Sequence, residues 1–198
     1  MTLQVRSEIG RLRRVLIHKP GREIDWMVPT LMDHLLFDDI LYGDDARWEH
    51  EHFEAVLRAA EVETFDPLDL LVEVLADDGP RGRLLEQLQQ SGVEVAVIDE
   101  LASLSAADLA VAAIGGLEAG RPRPGGSVRD FYRLAPLPNY FFQRDPQVVL
   151  GDRVLVSSMA TDVRDRESLL SSLVFEHHPA LGGWQEMIRL HDSPGPIV

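Results

Sequence analysis

Apolar residues run in short β-prone stretches near the two ends of the chain and recur at helical spacing through its middle. Leu12-Arg13-Arg14-Val15-Leu16-Ile17-His18 predicts a strand, stopped by the turn signal Lys19-Pro20-Gly21. Residues 29–36 predict a short helix with Pro29 in its first turn. A longer helix follows, capped by Asp44 or Asp45. Its apolar stripe is Phe53, Val56, Leu57 and Ala60, at i, i+3, i+4 and i+7. Residues 62–65 predict a second short strand.

The texture changes at Asp66-Pro67, an N-cap followed by proline at the first helical position. Leu68, Leu71, Val72 and Leu75 make one helical stripe, interrupted by Asp77-Asp78-Gly79-Pro80. Residues 81–90 predict a second helix with Leu84, Leu85 and Leu88 inward and Gly92 closing it. Residues 93–98 stay open, since their alternation points to a strand and their neighbours to a helix. Ser105-Ala106-Ala107-Asp108 resembles a capping box and opens a helix that runs to Gly115-Gly116. Arg121-Pro122-Arg123-Pro124-Gly125-Gly126 predicts a loop. Beyond it, Gln147-Val148-Val149-Leu150 and Arg153-Val154-Leu155-Val156 flank Gly151-Asp152 as a hairpin. Residues 166–173 predict a short helix and 191–198 a loop-like tail. The pattern divides an α/β chain into residues 1–65, a mostly helical insert over 66–136, and residues 137–198.

At 198 residues, 45% apolar and 26% charged, the chain is long enough for one domain with a core, or a core plus an insert. The formal charge is -14, from 33 acids against 19 bases, which argues against nucleic acid and anionic membrane as partners. A cationic ligand fits this charge, as does an acidic solvated surface. No stretch approaches the ~18 apolar residues of a membrane span, and the first residues carry no apolar signal core. The expected compartment is the cytoplasm. The chain has no cysteine, so it holds no disulfide, no thiolate metal site and no thiol nucleophile of its own.

Two segments carry candidate chemistry. In Pro138-Asn139-Tyr140-Phe141-Phe142-Gln143-Arg144-Asp145-Pro146, a carboxylate follows an aromatic run. Two oxygens of Asp145 can accept two parallel N–H bonds of a guanidinium, with Phe141 or Phe142 over its flat face. The alternative is a core strand ending in a turn at Asp145. In Thr161-Asp162-Val163-Arg164-Asp165-Arg166-Glu167, Arg164 is placed to fork a carboxylate; the alternative is a solvated helix start with local ion pairs. His50 and His52, two apart on a helix, fall on different faces and lack the zinc-protease spacing. His177 and His178 adjoin a candidate strand, where successive side chains point to opposite faces, so one of them at most serves a site. Gly115-Gly116 and Gly125-Gly126 lack the strand–loop–helix setting of a phosphate cradle.

Ser7-Glu8-Ile9-Gly10-Arg11-Leu12, Val15-Leu16-Ile17-His18-Lys19-Pro20-Gly21 and Leu35-Leu36-Phe37-Asp38-Asp39-Ile40 resemble the opening of arginine deiminases. Leu137 to Pro146 resembles that family's substrate-binding segment. Met159-Ala160, Arg164, Arg166-Glu167 and Phe175-Glu176-His177-His178-Pro179 continue it in order, and Ile114-Gly115-Gly116-Leu117 resembles part of its helical insert.

The resemblance implies part of an α/β propeller, or pentein, built from ββαβ modules around a polar channel. It implies hydrolysis of L-arginine to L-citrulline and ammonia through a cysteine thiouronium intermediate, without metal or organic cofactor. It assigns Asp145 to the guanidinium as the catalytic carboxylate, Phe142 to packing on the substrate, and Asn139 and Arg164 to its α-carboxylate. Gln143 and Tyr140 depart from the threonine and leucine common in relatives.

The family's cysteine, catalytic histidine, a glutamate and a second aspartate fall downstream of the segments matched here. The chain alone is therefore expected to be inactive, and to need a complementing C-terminal half or a homo-oligomer. Two other functions remain: a non-catalytic module that binds guanidino ligands or completes an oligomer, and an amidinotransferase or other guanidine hydrolase. The helical insert favours the deiminase over the last.

Overall fold

β1 (Arg14–Leu16) lies parallel to β2 (Glu63–Phe65), with Arg14 opposite Glu63 and Leu16 opposite Phe65. Parallel neighbours need a crossover. Here the intervening chain carries α1 (Arg22–Asp25), α2 (Met32–Leu35) and α3 (Gly43–Ala59). In this computed structural model the described residues are 3–27, 29, 32–35, 40–120, 128–159 and 161–190. The expected loop at 121–126, the tail at 191–198, Ala160, and parts of the expected 29–36 helix and of the 35–40 motif lie outside them.

α3 departs from its expected form in two ways. Its N-cap is Tyr42, with no side-chain cap, and Asp44 and Asp45 fall in the first turn, where Asp44 pairs with Arg47 at 2.8 Å. The stripe is also turned outward, with Phe53 53% and Val56 67% exposed. The reason is polar: Glu54 accepts from the Thr64 hydroxyl at 2.9 Å, and Arg58 Nε donates to the same oxygen at 3.1 Å. These bonds anchor the helix to β2 by a neighbouring face.

The middle of the chain folds as four consecutive helices: α4 (Pro67–Val74), α5 (Asp78–Gln90), α6 (Val95–Ser103) and α7 (Ala106–Gly115). Asp66 caps α4, accepting from the Leu68 amide at 2.8 Å. Ser105 Oγ caps α7 from the Asp108 amide at 3.1 Å. The open stretch at 93–98 resolves as helix. Val97 and Leu101, four apart, are buried together, whereas Val95, which strand alternation would bury beside Val97, is 60% exposed. α5 starts before residue 81, with Pro80 inside its first turn.

After α7 the chain reverses at Gly116, whose φ of +76° is left-handed. β3 (Leu117–Glu118) then pairs antiparallel with β4 (Tyr132–Leu134), preceded by α8 (Val128–Phe131). β5 (Gln147–Leu150) and β6 (Arg153–Val156) form the expected hairpin around Gly151, φ +64°. α9 (Asp162–His177) then carries the chain to β7 (Glu186–Arg189), parallel to β6. The unit β5-β6-α9-β7 is thus a ββαβ arrangement.

α9 exceeds the expected 166–173 helix because its buried face includes Arg166, Glu167, Ser168, Ser171 and Ser172, polar residues that an apolar period does not reveal. Among the described residues the fold is mixed α/β with three small sheets, none of which closes on itself. The main core joins Leu71, Leu75, Leu84, Leu101, Leu109 and Leu170. A smaller cluster gathers Ile24, Met27, Leu35 and Tyr132. Among the described residues, no helix is long and apolar enough to cross a membrane.

Candidate functional site

Residues 138–146 form a chain of turns, not a strand. The segment is pinned where the Leu137 amide donates to the Ile114 carbonyl at 2.9 Å. The Tyr140 amide then donates to Leu137, Phe142 to Asn139, and Asp145 to Phe142, at 3.0, 2.9 and 3.0 Å. Asn139, Phe142 and Asp145 therefore stand at the ends of two successive turns. Tyr140 is fully buried, its ring edge-on to His18 at 5.1 Å. Phe142 is half exposed, and its ring lies 4.1 Å from that of Phe141. The aromatic run thus divides its labour, with Tyr140 in the core and Phe142 at the surface. Asn139 is buried and donates through Nδ2 to the Leu35 carbonyl at 2.8 Å, tying the turns to α2.

The first turn of α9 faces these turns and supplies Arg164. Arg164 Nε donates to Glu167 Oε1 and Nη2 to Glu167 Oε2, both at 2.9 Å, a side-on fork one helical turn long. The same Nη2 donates to Asp145 Oδ2 at 2.8 Å. The three side chains differ in burial: Glu167 is 0%, Arg164 14% and Asp145 45% exposed. Burial pushes the Glu167 carboxyl up, and Arg164 pulls it partly back. Burial opposes the Arg164 charge, but Glu167 and Asp145 outweigh it and hold the guanidinium firmly protonated. One guanidinium thus bridges two carboxylates, with Asp145 at the accessible end and the Arg166 charge also acting on Glu167.

A family model described as arginine deiminase matches residues 33–194, a span that contains Asn139, Phe142, Asp145, Arg164 and Glu167. The chain belongs to the arginine deiminase family. Among curated relatives, the arginine deiminase of Clostridium perfringens is 37% identical over 202 residues, covering 91% of this chain and 48% of the relative. That of Metamycoplasma arthritidis is 35% identical, covering 90% and 46%, and that of Limosilactobacillus fermentum 33%, covering 94% and 49%. The chain spans about half the length of the arginine deiminases it matches.

Within this arginine deiminase framework, the structure brings Asp145 and Arg164 into direct contact and sets Phe142 and Asn139 on the same turns. Sequence patterns alone did not single out Glu167, although its i, i+3 spacing from Arg164 on a helix was a usable signal. They also did not single out a buried cluster behind the turns. His18 is 1% exposed, with Nδ1 2.9 Å from Asp66 Oδ1 and Nε2 3.4 Å from Glu23 Oε1. Asp66 further accepts the Lys19 amide at 3.0 Å. Nothing in one sequence links positions so far apart.

Two further described histidines have partners outside this cluster. His52 lies 2.7 Å from the Trp48 carbonyl, and His178 is buried against Glu73 at 3.0 Å and caps the turn at Ala180. Among the described residues, no three His, Cys, Asp or Glu side chains are grouped to hold a metal ion. A cleft of about 280 Å³ opens between β1 and β5, with Leu16, Phe65, Val149 and Leu181 in its walls. Neither Asp145 nor Arg164 lines it, so we place no chemistry there.

Proposed function

We propose that this chain is the substrate-gripping part of an arginine deiminase, which converts L-arginine and water to L-citrulline and ammonia. Asp145 accepts the guanidinium, Phe142 packs against the substrate, and Arg164 with Asn139 holds the α-carboxylate. The observation that carries this reading is the Asp145–Arg164–Glu167 group, which offers an acceptor for a cation beside a donor for an anion. It lies inside the stretch matched to the family.

The thiouronium route of this reaction uses a thiolate, and the 198 residues contain no cysteine. In this reading, the nucleophile and the histidine acid–base come from a complementing half. Isotope-labelled chain titrated with arginine should show saturable shifts around residues 139–145 that vanish in Asp145→Asn. The chain alone should form no citrulline. Arginine binding indifferent to Asp145, or citrulline formed by this chain alone, would overturn the proposal.

A second reading, which needs only the half-exposed carboxylate of Asp145, makes the fold a non-catalytic guanidino-ligand module. A mixture of this chain with the cysteine-bearing half of a relative separates the two, since only the first reading expects the mixture to form citrulline.

A further inference from the structure

Asp145 already has a guanidinium in its grip, that of Arg164. Nη2 of Arg164 gives one hydrogen to Glu167 and one to Asp145, at 2.9 and 2.8 Å. If Asp145 is the acceptor for a substrate guanidinium, as proposed above, the contact that recognises substrate is made internally. The two assigned jobs of Arg164 and Asp145 also lie too close together. The guanidinium and carboxylate of arginine are separated by three methylenes and a Cα, yet their intended receptors touch. An arginine cannot span the pair until Arg164 leaves Asp145.

Glu167 makes that departure feasible. It is fully buried and holds Arg164 through both Nε and Nη2, so the guanidinium can give up Asp145 while keeping its main counter-charge. What Arg164 needs in exchange is another anion. A ligand with its own carboxylate supplies one to the guanidinium. A ligand with only a guanidinium displaces Arg164 from Asp145 and offers nothing in return.

We propose that Arg164 is a specificity-determining gate, an internal guanidinium that covers Asp145 and yields to guanidino compounds bearing a carboxylate. Selection for an amino acid over a plain guanidine then comes from the cost of opening as well as from the new ion pair. This rests on the function proposed above and adds to it a basis for substrate choice.

The two roles of Arg164 make opposite demands on agmatine, which is arginine without its carboxylate. A residue that only forks a carboxylate acts on agmatine solely by like-charge repulsion, which salt screens, whereas a gate obstructs it at any salt. Dissociation constants for arginine and agmatine would be measured by NMR titration on the 198-residue chain, Arg164→Gln and Asp145→Asn. Circular dichroism would confirm folding. The expected result is that Arg164→Gln binds agmatine about three- to tenfold tighter, the scale of one partly exposed ion pair, and binds arginine no tighter.

Because Arg164→Gln leaves Glu167 buried without its partner, the double variant Arg164→Gln/Glu167→Gln carries the same readout if the single one does not fold. Agmatine affinity unchanged or weakened in the folded variant, with binding still dependent on Asp145, overturns the gate and leaves the proposed function standing. Absence of any Asp145-dependent binding of either ligand overturns both.

Discussion

His18 Nδ1 lies 2.9 Å from Asp66 Oδ1, and the two residues stand 48 positions apart in the chain. The contact ties the end of β1 to the cap of α4, directly behind Tyr140 and the turns that carry Asn139, Phe142 and Asp145. Burial disfavours a charged imidazole there, but Asp66 and Glu23 outweigh it and raise its pKa to about 9, against 6.5 for an ordinary histidine. Of the other titratable neighbours, His50 senses the same charges, Asp69 senses those of His18 and Asp66, and burial keeps the Tyr140 phenol protonated. The folded state therefore binds the His18 proton more tightly than the unfolded chain does. This stabilisation is complete below about pH 6.5 and is lost as pH rises through 9. Urea midpoints should fall between pH 6.5 and 9, by up to roughly 3 kcal/mol in unfolding free energy. His18→Gln should lower the midpoint and flatten that slope. A wild-type profile that is already flat would refute the buried ion pair.

Asp145→Asn should weaken arginine binding by at least about tenfold, the cost of trading a charged acceptor for a neutral one. Because Asp145 is half exposed, weakening its pair with Arg164 should cost no more than about 1 kcal/mol of stability. Calorimetric titration and a melting curve on the same sample separate the two effects. A large drop in melting temperature would mean that Asp145 serves the fold instead.

Arg164→Gln removes the only ion-pair partner of the fully buried Glu167 among the described residues. We expect a loss of about 3 kcal/mol in unfolding free energy, capped by proton uptake on Glu167. Adding Glu167→Gln should recover most of it. Equal destabilisation in the single and double variants would show that the pair is not coupled.

The sequence made some of this fold and site legible and hid the rest for physical reasons. Caps and turns are local, so Asp66, Ser105 and the Gly151 hairpin were readable from a few residues. α3 misled because its period is genuine, yet Glu54 and Arg58 engage Thr64 and leave Phe53 and Val56 facing outward. α9 was underestimated because Arg166, Glu167 and three serines occupy its buried side. In the site, chemistry alone left Asp145 open between a guanidinium acceptor and a turn, and Arg164 between a carboxylate fork and a solvated helix start; their contact, and the His18–Asp66 pairing behind them, depend on folding.

Two glycines test opposite expectations. A Cβ on Gly116 would sit 2.5 Å from the Leu134 carbonyl and 2.7 Å from Pro136 N, both backbone atoms, at a φ of +76°. Gly116→Ala should therefore cost more than about 2 kcal/mol. Gly82 lies in α5 with nothing within 4 Å of the added carbon, so Gly82→Ala should stabilise by about 0.5–1 kcal/mol. Denaturation of both variants checks the pair, and a tolerant Gly116 would contradict the tight reversal after α7.

The two strand pairings described for β1–β2 and β5–β6 also differ in how soon they can form. β5 and β6 meet across a two-residue turn, so their ends close almost without loss of chain freedom. β1 must wait for β2, because α1, α2 and α3 lie between Arg14 and its partner Glu63. During synthesis, β1 emerges well before β2, while the hairpin and α9 have their partners close at hand in the chain. The carboxylate side of the site thus belongs to a locally closing unit, and its backing at His18 and Asp66 to the pairing that closes at long range.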